Sequence, residues 1–274
     1  MALKPGSIRG LLSGRVSVVT GASSGLGRAT ALAFMQQGAT VVCADMHSSS
    51  QQLQPTQRLA KDQQGDCIFV QTDVSDEDSM SQLVQAAVDR FGRIDIMINN
   101  AGIAPEASRP RPVWETPEDV FDSTWRVNAR GVFLGCKYAG RQMLRQERNP
   151  EYGRAGTIIN MGSVLGALGK PGTPAYAAAK GAVIAMTRAV AMDYAPHAIH
   201  CNSILPGYVR TPMISAMTDD GDIAQHLAEN HPLGRLVEAE EVADAAVFLA
   251  SSLSNGVTGL NMSVDGGLHS KVGL

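Results

Sequence analysis

Aromatic side chains are scarce in this chain: Phe, Trp and Tyr together make up 5% of 274 residues. Neither charge is in large excess, since 23 Lys and Arg stand against 26 Asp and Glu, a net charge of −3. Proteins that grip nucleic acid or anionic membranes carry a basic patch, and single-strand binders add stacking platforms. The composition argues against both kinds of partner. The four cysteines, Cys43, Cys67, Cys136 and Cys201, are far apart and form no C-x-x-C pair, so no zinc or dithiol motif is present. Cys43 and Cys201 lie in apolar runs and are read as core packing. His226 and His231 have no third ligand nearby, and no metal is expected. No apolar run is long enough to span a bilayer. The stretch Met-Ala-Leu-Lys-Pro-Gly at the start lacks the apolar core of a signal peptide, and Lys-Val-Gly-Leu at the end is not the peroxisomal tripeptide. The expectation is a soluble, cytoplasmic protein in a reducing compartment. Internal repeats, low-complexity tracts and clear linkers are also missing, so residues 1–274 are read as a single domain.

What the chain does have is 44% hydrophobic residues and 28 glycines, arranged in an alternation of strand and helix patterns. Arg15–Thr20 is a β-branched run that reads as a buried parallel strand. Gly21-Ala-Ser-Ser-Gly-Leu-Gly27 follows at once, and Arg28–Gln37 reads as a helix stopped by Gly38. The glycines thus occupy a strand-to-helix turn, where free N–H groups and the helix dipole suit a pyrophosphate. The spacing is Gly-x-x-x-Gly-x-Gly, not the standard dinucleotide fingerprint. A second strand, Ala39–Asp45, ends in a carboxylate placed to accept hydrogen bonds from the adenosine ribose. A 2′-phosphate about 4 Å from that carboxylate would be disfavoured by roughly 4 kcal/mol at an effective dielectric of 20, less if solvated. NAD is therefore preferred over NADP, with Arg28 and Ser48 as neighbours able to soften the preference.

Residues 51–65 read as a polar helix and Cys67–Gln71 as a third strand. Thr72-Asp73-Val74 closes that strand, with Asp73 near the adenine position. A helix over 76–91 follows, capped by Ser75. A fourth strand, Ile94–Ile98, runs into Asn99-Asn100-Ala101-Gly102, small and amide residues that suit close passage of a cofactor or an ordinary turn. Residues 103–117 form a proline- and arginine-rich loop, a candidate rim of the cleft. A long helical region from 118 to 148 contains Asn128, with a surface turn at 146–153. A fifth strand leads to Ser163, residues 164–175 form a further loop, and a helix runs from Tyr176 to about Ala195. Ala198–Leu205 is a sixth strand, stopped by Pro206-Gly207. Residues 208–235 read as a mobile lid of short helices carrying Met213 and Met217. A helix from 238 to 251 and a strand at 260–264 complete an α/β doubly wound, Rossmann-type parallel sheet of about seven strands.

The chemistry centres on Ser163, Tyr176 and Lys180. Positions i and i+4 share a helix face, so the Tyr176 phenol and the Lys180 ammonium sit together, as an ordinary helix pair would too. A nearby cation favours phenolate. Bringing a phenol from about 10 to near neutrality takes roughly 4 kcal/mol of bias, a lowering within reach of Lys180 plus a cationic nicotinamide. Ser163, at a strand end, completes a group able to move a proton to or from a carbonyl oxygen.

With these residues in view, the chain resembles a classical short-chain dehydrogenase/reductase over nearly its whole length. The matching motifs are Thr20–Gly27, Asp73-Val74, Asn99–Gly102, Asn128, Ser163 with Tyr176 and Lys180, and Pro206-Gly207 with Thr211. The resemblance implies that Tyr176 is the general acid/base and that Lys180 lowers its pKa and holds the nicotinamide ribose. It also implies that Ser163 orients the substrate oxygen and Asn128 holds a water in a proton relay. Gly21, Ser23, Ser24, Gly25, Leu26 and Gly27 would cradle the cofactor, with Asp73, Val74, Asn100, Ala101 and Gly102 along its length. Pro206, Gly207, Val209 and Thr211 would hold its carboxamide end. Gly162 departs from the pattern, since many relatives carry a second serine there. Ser24 stands where phosphate-selecting relatives carry a basic residue, in agreement with Asp45.

The implied reaction is reversible hydride transfer between NAD(H) and a secondary alcohol or ketone. The substrate expected is a small to medium-sized, partly apolar metabolite. Homo-oligomer formation, as a dimer or tetramer, is also implied, through the helix after Tyr176 and the last strand. Three alternatives stay open: a catalytically silent dinucleotide-binding regulator or scaffold, an NADP(H)-dependent biosynthetic ketoreductase, and an epimerase or dehydratase of the extended branch.

Overall fold

β-Branched and aliphatic runs make seven parallel strands, and the polar–apolar segments between them make the covering helices. In the computed structural model the described residues are 10–48, 54–58, 66–215 and 220–271. In chain order, β1 (Val16–Thr20), α1 (Gly25–Gln36), β2 (Thr40–Asp45), β3 (Cys67–Gln71), α2 (Glu77–Phe91) and β4 (Ile96–Asn99) form the first half. The second half holds α3 (Glu118–Trp125), a π-helical turn (Arg126–Arg130), α4 (Gly131–Met143), β5 (Gly156–Met161), α5 (Pro174–Tyr194) and β6 (Ile199–Pro206). It closes with α6 (Gly221–Glu229), α7 (Ala239–Ala250) and β7 (Asn261–Val264).

The sheet order is β3-β2-β1-β4-β5-β6-β7 and all pairings are parallel. Strand order reverses between β1 and β4, which opens a crevice beyond the carboxyl ends of the strands. Alternation along each strand divides the core. Val19, Cys43, Ile98 and Ile159 pack toward α1 and α7 with Phe34 and Leu249. Val18, Val42, Met97 and Ile158 face the other layer with Leu83, Leu134 and Val183. Both faces of the sheet are therefore buried, the usual condition of an all-parallel sheet.

Several expectations are corrected in detail. The first helix starts at Gly25, not Arg28, so two of the glycines belong to its opening turn. Asp76, not Ser75, caps α2: its carboxylate accepts from the Ser79 N–H at 2.7 Å. Ser75 is held instead by Asp73, donating from both its N–H and its hydroxyl at 2.8 Å. The polar helix expected at 51–65 falls largely outside the described residues, which show only Thr56–Arg58 as helical. The helical region expected over 118–148 ends at Met143 and is interrupted by the π turn.

The cysteines, distant in sequence, pair in space. The thiols of Cys43 and Cys67 lie 3.4 Å apart on adjacent strands, and Cys136 and Cys201 both reach the Asn160 amide. All four are free.

Candidate active site

Strand ends and helix starts meet at the crevice. They enclose a cavity of about 490 Å³ that runs from Asp45 at one end to Tyr176 and Met213 at the other.

The nucleotide end is shaped by close backbone contact. A Cβ on Gly27 would stand 2.1 Å from the Gly21 carbonyl oxygen, and one on Gly21 would meet the Asn100 amide at 2.8 Å. Asn100 is the reason for this tightness: its Nδ2 donates to the Thr20 carbonyl at 2.8 Å, while its own N–H and that of Ala101 end on the Thr20 hydroxyl. Helix α1 has no side-chain N-cap and no acid in its first turn, so its free N–H groups and positive end remain available to an anion. Beyond it, the Asp45 carboxylate accepts from the N–H groups of Ser23 at 3.0 Å and Met46 at 2.8 Å, and it lines the cavity. Arg28 turns away to donate to the Gln54 carbonyl. An uncapped helix start under a glycine turn, with a carboxylate at the next strand end, fits a dinucleotide.

At the reacting end, Ser163 follows β5 in extended conformation, and its hydroxyl accepts from the Leu165 N–H at 3.2 Å. Ser163 and Tyr176 line the same cavity, and the Ser163 hydroxyl favours the Tyr176 phenolate. Lys180 lies one turn beyond Tyr176, its ammonium 5.7 Å from the ring centre, and it donates to the Met161 carbonyl at 2.7 Å. Burial dominates both titrations. It pushes the Tyr176 phenol up to about 12, against a smaller lowering by the Ser163 hydroxyl, and pushes Lys180 down to about 8. The lowering expected from the sequence draws on a cationic nicotinamide as well as Lys180, and the protein's own groups by themselves do not supply it. The phenolate loses its solvation in the cleft, and Lys180 is turned toward a carbonyl and is itself desolvated.

Gly21, Ser24, Gly25, Leu26, Asp45, Asp73, Val74, Asn100, Ala101 and Gly102 line the cavity. So do Ser163, Tyr176, Lys180, Pro206, Gly207, Val209 and Thr211. Ser23 and Gly27 lie beneath that surface, as does Asn128, which is fully buried in the π turn. The Asn128 amide exchanges two hydrogen bonds with the backbone of Ile103, each 2.8 Å. Its side chain therefore fixes the loop beyond Gly102 instead of presenting a free amide to the cleft. Gly162, the departure from the family pattern, has a packing reason: a Cβ there would stand 2.4 Å from Leu205.

The segment over 208–235 contributes Met213 and Ile214 to the cavity wall, while Met217 lies outside the described residues. His231 is buried, accepting from the Tyr208 N–H at 3.2 Å and bonded to the Leu227 carbonyl at 2.8 Å. Its role is to hold that segment together. Among the described residues no group of three His, Cys, Asp or Glu side chains could hold a metal ion, and no helix is long and apolar enough to cross a membrane.

The sequence carries no local sign of several cavity residues. Val127, Leu165, Lys170 and Tyr208 come from loops and a turn whose geometry follows from tertiary packing. Glu106 lies on a short helical turn, Pro105–Ser108, yet its carboxylate reaches the start of α5, about seventy positions away.

Residues 21–269 match a family profile described as enoyl-(acyl carrier protein) reductase. Among curated proteins, the chain is 37% identical to 2-(R)-hydroxypropyl-CoM dehydrogenase of Xanthobacter autotrophicus, over 92% of this chain and 97% of that one. It is also 37% identical to 3-oxoacyl-(acyl-carrier-protein) reductase FabG of Thermotoga maritima, over 94% and 98%. The same identity holds with cis-4-hydroxycyclohexanecarboxylate dehydrogenase of Sinomonas cyclohexanicum, over 92% and 96%. A short-chain type dehydrogenase/reductase from Mycobacterium marinum superposes with a TM-score of 0.84 at 32% identity, over 94% of this chain and 96% of that one. An Agrobacterium tumefaciens protein with bound NADP, provisionally described as a 2-deoxy-D-gluconate 3-dehydrogenase, superposes with a TM-score of 0.83 at 30% identity, over 95% and 98%. The all-parallel seven-stranded sheet agrees with these likenesses, and the chain belongs to the short-chain dehydrogenase/reductase family.

Proposed function

We propose that this chain is an NAD-dependent oxidoreductase that interconverts a secondary alcohol and its ketone, acting as one catalytic domain with residues 208–235 as its lid. The observation that carries the reading is the meeting of Ser163, Tyr176 and Lys180 beside an uncapped helix start within one cavity. The nicotinamide, when bound, supplies or accepts the hydride. The chain supplies position and proton control. Ser163 orients the substrate oxygen, and Tyr176 gives or takes its proton. Lys180 biases that proton through its charge and its place on the same helix face. Asn128 holds Ile103, and with it the loop that walls the site.

The preference for NAD rests on Asp45, whose carboxylate stands at the end of β2 on the cavity wall and repels a 2′-phosphate. An NADP(H)-dependent ketoreductase is the second reading, favoured by the FabG relative and by the Agrobacterium protein with bound NADP. For the substrate, Ile103, Ala104, Ala107, Val164, Leu165 and Met213 give the reacting end an apolar wall. That wall supports a medium-sized, partly apolar alcohol.

The test is a fluorescence titration of the purified protein with NADH and NADPH side by side, repeated with Asp45→Ala. A preference for NADH that the variant loses is the expected result. A preference for NADPH overturns the role given to Asp45. Binding without turnover of any alcohol or ketone moves the reading to a silent dinucleotide binder.

A further inference from the structure

Glu106 is 3% exposed, lines the cavity, and faces the first turn of α5. Its Oε1 accepts from the Ala175 N–H at 3.1 Å and its Oε2 from the Tyr176 N–H at 2.8 Å. Nothing on α5 itself does this work. Pro174 has no N–H. Thr173, at the cap position, makes no side-chain bond to the helix, and its hydroxyl donates to the Lys170 carbonyl. The first turn contains no acid. No ion pair to Glu106 occurs among the described residues. Its charge is therefore spent on the positive end of the helix and on two N–H groups.

An ordinary N-cap would stabilise the helix equally well. This one comes from the loop that leaves Gly102, which is anchored one residue further on by Asn128 through Ile103. A second tie, from the Arg111 N–H to the Gly172 carbonyl at 3.2 Å, joins the same two loops. The amide of Tyr176 itself is thus fixed to the strand end that borders the cofactor cleft.

Resting on the oxidoreductase reading above, we propose that Glu106 is the positioning residue for Tyr176. By holding the Ala175 and Tyr176 amides, its carboxylate sets where the phenol stands relative to Ser163 and the cofactor. It touches neither the transferred proton nor the hydride.

The first readout needs no turnover. Protein labelled with ¹³C at tyrosine Cζ gives one signal per tyrosine, and the Tyr176 signal is the one lost in Tyr176→Phe. In Glu106→Gln, one acceptor oxygen becomes a donor facing the helix N–H groups, and the Tyr176 signal is expected to move or broaden while the other four stay. Glu106→Asp, which keeps the charge on a shorter arm, is expected to shift it less, and it serves if the glutamine variant does not fold. An unmoved Tyr176 signal in a folded variant overturns the proposal.

The second readout is turnover of cis-4-hydroxycyclohexanecarboxylate with NAD. Glu106→Gln is expected to lower kcat roughly ten- to a hundred-fold, the scale of a misplaced catalytic group, with KM and the NADH dissociation constant held within about threefold. In a Tyr176→Phe background the same change is expected to cost almost nothing further. An equal fall in both backgrounds assigns Glu106 a role independent of Tyr176 and overturns the proposal. A wild-type protein that binds NADH but turns over no alcohol counts against the oxidoreductase reading instead, and the resonance readout still decides the role of Glu106.

Discussion

Tyr176 and Lys180 sit in a place that stabilises neither of their ionised forms. Burial pushes the phenol up to about 12 and the ammonium down to about 8. Stability should record this. The unfolded chain binds the Lys180 proton up to about pH 10.4, whereas the folded one releases it from about 8, so the unfolded state holds more protons in between. Stability should therefore rise with pH through that window, by roughly 3 kcal/mol at most from this residue. For Tyr176 the sign is opposite: the unfolded chain ionises first, and stability falls between about pH 10 and 12. Melting temperatures of wild type and Lys180→Met across pH 7 to 10 check the first claim, since the methionine variant should lack the rise. For catalysis, Tyr176→Phe should lower kcat by about 10² to 10⁴ while NADH binding persists, the range of a lost general acid or base. Retention of more than a few percent of turnover would show that the proton moves by another route.

Elements place these residues through a few crossings in which a side chain has no room. Helix α4 passes β4 at Gly135, where a Cβ would lie 1.8 Å from the Asn99 Oδ1. Asn99 is fully engaged there, its amide donating to the Asn160 oxygen at 2.8 Å, and the Asn160 amide donating to the Thr187 hydroxyl at 3.0 Å. This buried chain ties β4 and β5 to α5, the helix that carries Tyr176. Gly135→Ala should therefore force the helix off the sheet and destabilise by about 1–3 kcal/mol or more, the scale of overpacking. Gly221→Ala, at the start of α6 with open space around it, should stay within about 0.5 kcal/mol. Denaturant midpoints of the two variants make the comparison. Equal midpoints would mean that α4 can move without cost. The π turn at Arg126–Arg130 belongs to the same scale. One widened turn places Asn128 against Ile103, a device that a helical sequence pattern does not announce.

At the scale of the whole molecule, the described surface keeps apolar groups that a monomer would be expected to cover. Phe121 and Trp125 stack with ring centres 6.2 Å apart, each 43% exposed, and Met192 on α5 is 62% exposed. We expect a homo-oligomer, dimer or tetramer, with the Phe121–Trp125 surface as one candidate contact. Native mass spectrometry of Trp125→Glu should show a shift toward smaller species relative to wild type. An unchanged mass would move the contact elsewhere, with the last strand as the next surface to test.

The chain order alone was enough for the sheet class, the seven strands, the glycine turn and the placing of Ser163, Tyr176 and Lys180 on one cavity. Each of these is written in local pattern: β-branched runs, glycine spacing, and an i,i+4 pair on an alanine-rich helix. Tertiary structure decided the rest, because the deciding partners are distant in sequence. Asp76 takes the cap expected of Ser75 through a choice made by loop geometry. Cys43 meets Cys67 only once β2 and β3 pair. The Tyr176 phenol is pushed up by burial, which depends on the residues that surround it in the cleft. Glu106 finds its helix about seventy positions later. A local pattern fixes what a segment becomes, while burial and long-range hydrogen bonding fix what its charged groups can do.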